Sequence, residues 1–483
     1  MKVLFTLVLA LQVCVAASGN TTTVIDVTDP PYSAVGDGIS DDHSAIQAAV
    51  EALRQTGGTI LLPAPYQFAL SSPILLSNLN SISIRGGGQH VGSCTTRGAS
   101  LLSLTSNSTV LILNQCGHCS VSNLFIGHIL ANGNATGAHI SLLAQSKPHS
   151  INTDLLPLQR STRSHSTVNY PTYTVERRRP QSGCSIVVRH SFEATIDHIW
   201  FESVWGALRM EQFANTMTVL DTTIVSVWGP FGIRMAGGST GARVDVLQIS
   251  RLTTNNYVTD QNTVLGNASV VWLDMASGAN TLRLDNVGLI HGGIGLRLSS
   301  EDPTGTPGVS PGRPLFVFAN DLEIDFPLMN AIQLDQGETV TLSNAYLQGS
   351  QTKNGIFVGP GFNSELQVTN SRIFGHSLSG IVLGGGRHHL FTNNIVGDNS
   401  IVGVNVSSGI LVKENVSDFI ITSNHVGAVF KQQIQSQHKY GIEIEKGSSN
   451  HYIITSNALY GNIAGGLFDG GEGKSSSVDQ NLL

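Results

Sequence analysis

Four aspartates recur in short alternating runs that could place carboxylates one above another. They are Asp197 in Ala194-Thr-Ile-Asp-His198, Asp221 in Thr218-Val-Leu-Asp-Thr222, Asp245 in Ala242-Arg-Val-Asp-Val246 and Asp285 in Leu282-Arg-Leu-Asp-Asn286. Their spacings are 24, 24 and 40 residues. On stacked strands about 4.8 Å apart, neighbouring rungs approach the ~5–5.5 Å carboxylate separation of retaining glycoside cleavage. Alternate rungs approach the ~6.5–9.5 Å of inversion. Crowded like charges would also raise one pKa and supply an acid. A second set follows each run: Arg209 in Leu208-Arg-Met210, Arg234 in Ile233-Arg-Met235 and Arg297 in Leu296-Arg-Leu298. Trp205 and Trp228 precede the first two arginines, each followed by glycine, and Glu202 and Glu211 lie close by.

These types assign roles. Asp221 and Asp245, the central pair, are expected as acid and base or nucleophile, with Asp197 and Asp285 flanking them. Arg234 is expected to bind substrate charge, or to act as the base if the reaction is elimination. Trp205 and Trp228 offer faces for sugar rings, and Arg209, Arg297, Glu202 and Glu211 line the same groove. In an elimination the carboxylates would instead hold Ca²⁺, a hard cation that takes oxygen ligands. No other cofactor is implied. The plainer account is that surface Asp and Arg pair across turns, each pair worth less than about 1 kcal/mol. Like charges on adjacent rungs repel, so stability alone would not choose that stacking.

The elements that must hold these residues are announced by a repeat. Val340-Thr-Leu-Ser-Asn344, Leu366-Gln-Val-Thr-Asn370, Leu390-Phe-Thr-Asn-Asn394, Ile420-Ile-Thr-Ser-Asn424 and Ile453-Ile-Thr-Ser-Asn457 are alternating runs ending in Asn, 24 to 33 residues apart. A period of this size means stacked supersecondary units, and alternation of period two means strands. The chain is expected to be all-β, with one parallel β-helix coil per repeat. Alternation puts each terminal Asn on the apolar, inward face. Buried amides must be satisfied, so an internal asparagine ladder is expected.

Composition agrees with that fold and excludes others. Charged residues are only 12 % and glycines number 52, while a net charge of −7 gives no footprint for nucleic acid. Residues 1–18 read as a signal peptide, with a basic start, an apolar run from Val3 to Val15 and small residues after it. A secreted, extracellular protein without membrane insertion is expected. Residues 19–483 then form a single domain. Cys94, Cys116, Cys119 and Cys184 are disulfide candidates with three pairings. Asn20, Asn107, Asn134, Asn267, Asn405 and Asn415 begin Asn-x-Ser/Thr acceptor triplets for glycosylation. Two irregular stretches, 141–183 and the shorter 253–269, read as insertions. The first carries Glu176-Arg-Arg-Arg179.

Residues 24–90 read as a cap and first coils. Ser40 or Asp41 can N-cap a helix whose apolar face is Ile46, Ala49, Val50 and Leu53, ending at Gly57. Such a helix shields the open end of a solenoid. Gly36-Asp-Gly38, Asp41-Asp42, Ala45-Ile-Gln-Ala-Ala49 and Gly57-Gly-Thr59 to Pro63 resemble the N-terminal segment of pectate-lyase-like right-handed β-helix proteins. That group spans rhamnogalacturonase-, epimerase- and pectate-lyase-type enzymes and tailspike depolymerases. The resemblance implies a right-handed coil and a polysaccharide partner. It does not choose the chemistry. The Asn-Thr-Asp string of polygalacturonases occurs only at Asn152-Thr-Asp154, inside the long insertion, and the Asp-Pro-His string of alginate epimerases is missing. The expected function is therefore a secreted carbohydrate-active enzyme cleaving a polysaccharide, as glycoside hydrolase or lyase. The alternative is a non-catalytic glycan-binding adhesin or structural rod.

Overall fold

Runs that alternate apolar and polar residues bury one face only, and stacking them in parallel gives each backbone N–H and C=O a partner on the next coil. The computed structural model shows the result, a right-handed parallel β-helix. It describes residues 23–87, 98–128, 182–237, 242–256, 270–299, 312–414, 416–428, 437–447, 449–473 and 475–483. One wall is a thirteen-stranded sheet, and the other a bent sheet of twenty-two strands. Central coils give the bent wall one long strand each, among them Phe192–Glu202, Asn215–Val225, Val244–Asn255 and Ala279–Ile290. Ile196, Val219, Ile249 and Leu284 stack rung upon rung in the interior. Burying such a side chain contributes about 1.5–3 kcal/mol. The signal segment, Cys94, Asn20, Asn134, Asn267, Asn415 and Arg177–Arg179 lie outside the described residues. So do most of 141–183 and residues 257–269. Thr253–Asn255, inside the range 253–269 read as an insertion, belong to a strand.

One left-handed residue per coil makes the bend. Asn123, His198, Asp221, Arg251, Asn286, Asp321, Asn344, Asn370, Asn393, Ser423 and Ser456 have φ between 44° and 59°. Asn and Asp tolerate that conformation better than other side chains do. This corner divides the five asparagines of the repeat. Leu390 pairs with Gln367 rather than Leu366, so the phase slips by one residue. Asn344 and Asn370 therefore occupy the exposed corner, while Asn394, Asn424 and Asn457 fall one place later and are buried. The ladder is real for these three. Asn394 Nδ2 donates to Asn424 Oδ1 at 3.0 Å, Asn424 to Asn457 at 3.0 Å and Asn457 to Asn481 at 2.9 Å.

A second buried ladder was not anticipated. His376 Nδ1 accepts the Ser350 N–H at 3.0 Å, and Asn399 Oδ1 accepts the His376 N–H at 3.0 Å. His438 Nε2 accepts the Asn399 N–H at 3.0 Å. At another corner His389 Nδ1 accepts the Leu366 N–H at 3.1 Å. Each remaining ring nitrogen faces an acceptor: Leu347 O, Asn462 Oδ1 and Gly385 O respectively. Every ring is thus fixed as a neutral tautomer. Burial pushes the pKa of His376 down to about 3, and those of His389 and His438 to about 4.

The cap helix is His43–Ala52, and Ile46, Ala49, Val50 and Leu53 are buried as expected. Its N-cap is Asp42, not Ser40 or Asp41, and that carboxylate makes no capping bond. It accepts the Val35 and Gly36 N–H groups at 2.6 and 3.1 Å instead, and its burial raises its pKa. Gln47 completes the cap by exchanging two hydrogen bonds with the Leu75 backbone, 3.0 and 2.9 Å, as a further rung would. The expected disulfides are absent among the described cysteines: Cys116, Cys119 and Cys184 are buried free thiols.

Two outcomes follow from the interior. Asn424→Ala strands the Asn394 N–H and the Phe391 carbonyl; at about 1–3 kcal/mol for each orphan, it should lower the melting midpoint sharply. Asn344→Gly, at the exposed corner, should leave it nearly unchanged, because glycine is unstrained there. Acid should act through the histidines. Their folded pKa values lie below the ordinary value of about 6.5, so between the two the unfolded chain binds more protons. Their contribution is complete above about pH 6.5 and falls by about 1.4 kcal/mol per pH unit per ring toward pH 4. Melting midpoints measured from pH 7 to 4.5 should show that slope, and His376→Asn should make it shallower.

Candidate functional site

The thirteen-stranded wall carries the charged column. Leu208–Glu211, Phe231–Ala236, Val271–Met275 and Ile294–Leu298 pair in parallel, making Arg209, Arg234, Asp274 and Arg297 successive partners. The residues beside them, such as Met210, Ile233, Leu273 and Leu296, fill the core and turn the charges outward. The three expected arginines are therefore together, and Asp274 stands where no charge was expected. Its carboxylate is fully enclosed. Arg297 Nε donates to Oδ1 at 2.9 Å, and Arg234 Nε lies 3.4 Å from Oδ2. The Arg234 guanidinium also covers the Phe231 ring, 4.9 Å from its centroid. Burial lowers the Arg234 pKa; Asp274 opposes that shift, and Arg209 and Arg297 add to it.

Beside the column lies a cleft of about 290 Å³, bordered by Cys184, Arg189, Trp205, Arg209, Glu211 and Phe231, among others. Arg209 Nε meets Glu211 Oε2 at 2.6 Å, and Arg189 is the Cα partner of Glu211. Along the cleft and the column together, four arginines stand with two carboxylates, Glu211 and Asp274, a local balance of 4 − 2 = +2 on a chain of −7. Trp205 adds an aromatic surface, and Trp228 sits one coil on, its backbone N–H donating to Val204 O at 2.9 Å. The Cys184 thiol at this wall is pushed up to about 12, mainly by burial. Chemically, the cleft can hold an anion against guanidinium groups, stack a ring and move a proton at Glu211.

The expected aspartates stand elsewhere, on the bent wall. Asp197 and Asp285 share a column, but Leu220 and Ser250 come between them, so they are three rungs, or about 14 Å, apart. Asp221 is the left-handed corner residue of its coil, and Arg251 grips both its oxygens at 2.5 and 2.7 Å. Asp245 lies early in its strand, bonded to Asn280 at 3.1 Å, far from Asp221. The central pair is not assembled. Glu202 belongs to the bent wall too, accepting from Trp200 Nε1 at 3.2 Å. The ligand atoms of Asp197, His198 and Asp221 lie within 4.8 Å of one another. They do not fit Ca²⁺, which takes six to eight oxygens (roughly), because Arg251 already occupies both Asp221 oxygens.

The fold is thus that of a right-handed parallel β-helix, with its candidate site on the shorter-stranded wall. A family model described as a right handed beta helix region matches residues 317–483. The A-module of a mannuronan C-5 epimerase from Azotobacter vinelandii superposes with a TM-score of 0.56 at 12 % identity, covering 95 % of this chain and 98 % of that one. Tailspike protein 3 of bacteriophage CBA120 gives 0.63 at 11 % identity, with 95 % of this chain against 62 % of that one. At such identities the likeness establishes the architecture alone. No curated protein matches the sequence.

Removing one member of an enclosed ion pair leaves the other charge unpaired. Asp274→Ala should therefore cost about 3–5 kcal/mol, read as a drop in the denaturant midpoint. Asp221→Asn, which loses only the solvent-facing pair with Arg251, should cost less than about 1 kcal/mol.

Proposed function

We propose that this is a secreted protein that acts on an acidic polysaccharide, bound along the arginine-lined wall. The carrying observation is the run of Arg209, Arg234, Asp274 and Arg297 on consecutive rungs beside a cleft bordered by Trp205 and Glu211. A net positive cleft on a negative chain favours anionic sugar, since opposite charge is concentrated where the ligand must dock. A glycan partner is also in keeping with a fold neighbour named as a mannuronan epimerase. Among the described residues lining the cleft, Glu211 is the one carboxylate. Paired-carboxylate hydrolysis needs two, so proton transfer at an acidic sugar, as in elimination, is the better-supported reaction. Arg189 and Arg209 would neutralise the sugar carboxylate, and Glu211 would carry the proton. The 2.6 Å ion pair that engages Glu211 favours a second reading, in which the cleft binds glycan without turning it over.

A panel of uronate-containing and neutral polysaccharides separates these, read for unsaturated products by absorbance and for reducing ends. Turnover of uronate polymers alone is expected. Glu211→Gln should lower that rate by about 10²–10⁴ while the chain still binds polymer. Binding without product on every polymer would leave the second reading. Binding of neutral polymers as tightly as acidic ones, unaffected by salt, would refute both, because exposed charge attraction is screened at high ionic strength.

A further inference from the structure

Between the strands Ile395–Gly397 and Ile410–Val412 the chain makes a loop that reverses the usual burial. Ile401, Val402, Val404 and Val406 are 54 %, 65 %, 61 % and 57 % exposed. The loop is tied in that shape. Asn399 and Ser400 at its root are fully buried, and the Ser400 N–H donates to Leu378 O at 2.7 Å. The Ser400 hydroxyl donates to Gly403 O at 2.8 Å and accepts the Ser407 N–H at 3.1 Å. The Asn405 N–H donates to Gln437 O at 3.0 Å. Four β-branched side chains are thereby held in water, each Å² unfavourable by about 25 cal/mol. Four exposed aliphatic side chains within one short loop point to something that covers them.

The cover is indicated by the residue at its centre. Asn405 begins the acceptor triplet Asn405-Val-Ser407, is exposed, and has a left-handed backbone at φ 66°. We propose that Asn405 carries an N-linked oligosaccharide in the mature protein, and that this glycan shields the four aliphatic side chains. The amide Nδ2 forms a bond to C1 of a lipid-diphosphate-linked oligosaccharide. The C1–O bond to the diphosphate breaks, the lipid diphosphate leaves with the electron pair, and the amide gives up one proton. Sugar C–H faces then rest on the aliphatic groups while the hydroxyls face water.

Asn107 heads another triplet, Asn107-Ser-Thr109, and is exposed too, but its side chain is already engaged. Its Oδ1 accepts the Thr109 N–H at 3.0 Å and the Thr109 hydroxyl at 2.8 Å. It borders the cleft, and a Cβ added at Gly183 would come within 1.9 Å of that oxygen. An oligosaccharide there would fill the cleft, so Asn107 stays unmodified. That exclusion rests on the cleft being the working site, whereas the assignment of Asn405 does not.

The full chain, secreted from a eukaryotic host, can be mapped by peptide mass spectrometry before and after amidase release, which leaves Asp where a glycan stood. Modified Asn405 with unmodified Asn107 is expected. An unmodified Asn405 overturns the assignment, and a glycan on Asn107 overturns the exclusion. Enzymatic deglycosylation and Asn405→Gln should each raise binding of an apolar-surface dye several-fold and promote self-association. Adding Val402→Asp and Val404→Asp to Asn405→Gln should reverse both. Unchanged dye binding and association after glycan removal would show that the glycan is not the cover.

Discussion

A parallel β-helix keeps its shape because each coil is hydrogen-bonded to the coils on either side, about 4.8 Å away. Everything placed on its surface or in its interior inherits that interval. Ile196, Val219, Ile249 and Leu284 superpose inside because the backbones are in register, and Arg209, Arg234, Asp274 and Arg297 superpose outside for the same reason. A slip of one residue exchanges inside for outside. The corners therefore matter as much as the strands, since each left-handed residue turns the chain without disturbing the alternation on either side of it.

That dependence explains what the sequence revealed and what it concealed. The coil architecture, the cap helix and the arginine column were legible, because each rests on short-range periodicity or on a local triplet such as Leu-Arg-Met. The aspartate column was not. Asp221 occupies the corner itself, one place after Leu220, which is the true partner of Asp197. Asp245 lies at the start of a twelve-residue strand, six places before the corner at Arg251, so equal spacing did not mean equal position. The same slip at Leu390 mixed corner asparagines with ladder asparagines. Asp274 escaped because Val271-Trp-Leu-Asp-Met275 follows an irregular stretch, which hid the coil between Arg234 and Arg297. Aligning that run with Leu208-Arg-Met210 was the signal that could have found it.

The two ends of the solenoid are fastened differently. The first coils are closed by a helix that buries Ile46, Val50 and Leu53 and presents Gln47 to the edge strand. The later coils are held by buried amides and imidazoles, Asn394 to Asn481 in one column and His376 to His438 in another. Hydrophobic burial is indifferent to pH, whereas a ring that must remain neutral is not. The arginine-lined coils lie on the N-terminal side of these histidines.

Asp274 has a consequence for recognition that concerns entropy rather than charge. A free arginine has about 2 kcal/mol of rotamer entropy to lose when a ligand immobilises it. Arg234 has already lost much of its freedom, its side chain only 15 % exposed between the Asp274 carboxylate and the Phe231 ring. Folding has borne that loss in advance. A ligand reaching this wall meets a guanidinium already oriented, so more of the attraction between them appears as affinity and less is spent on ordering the receptor.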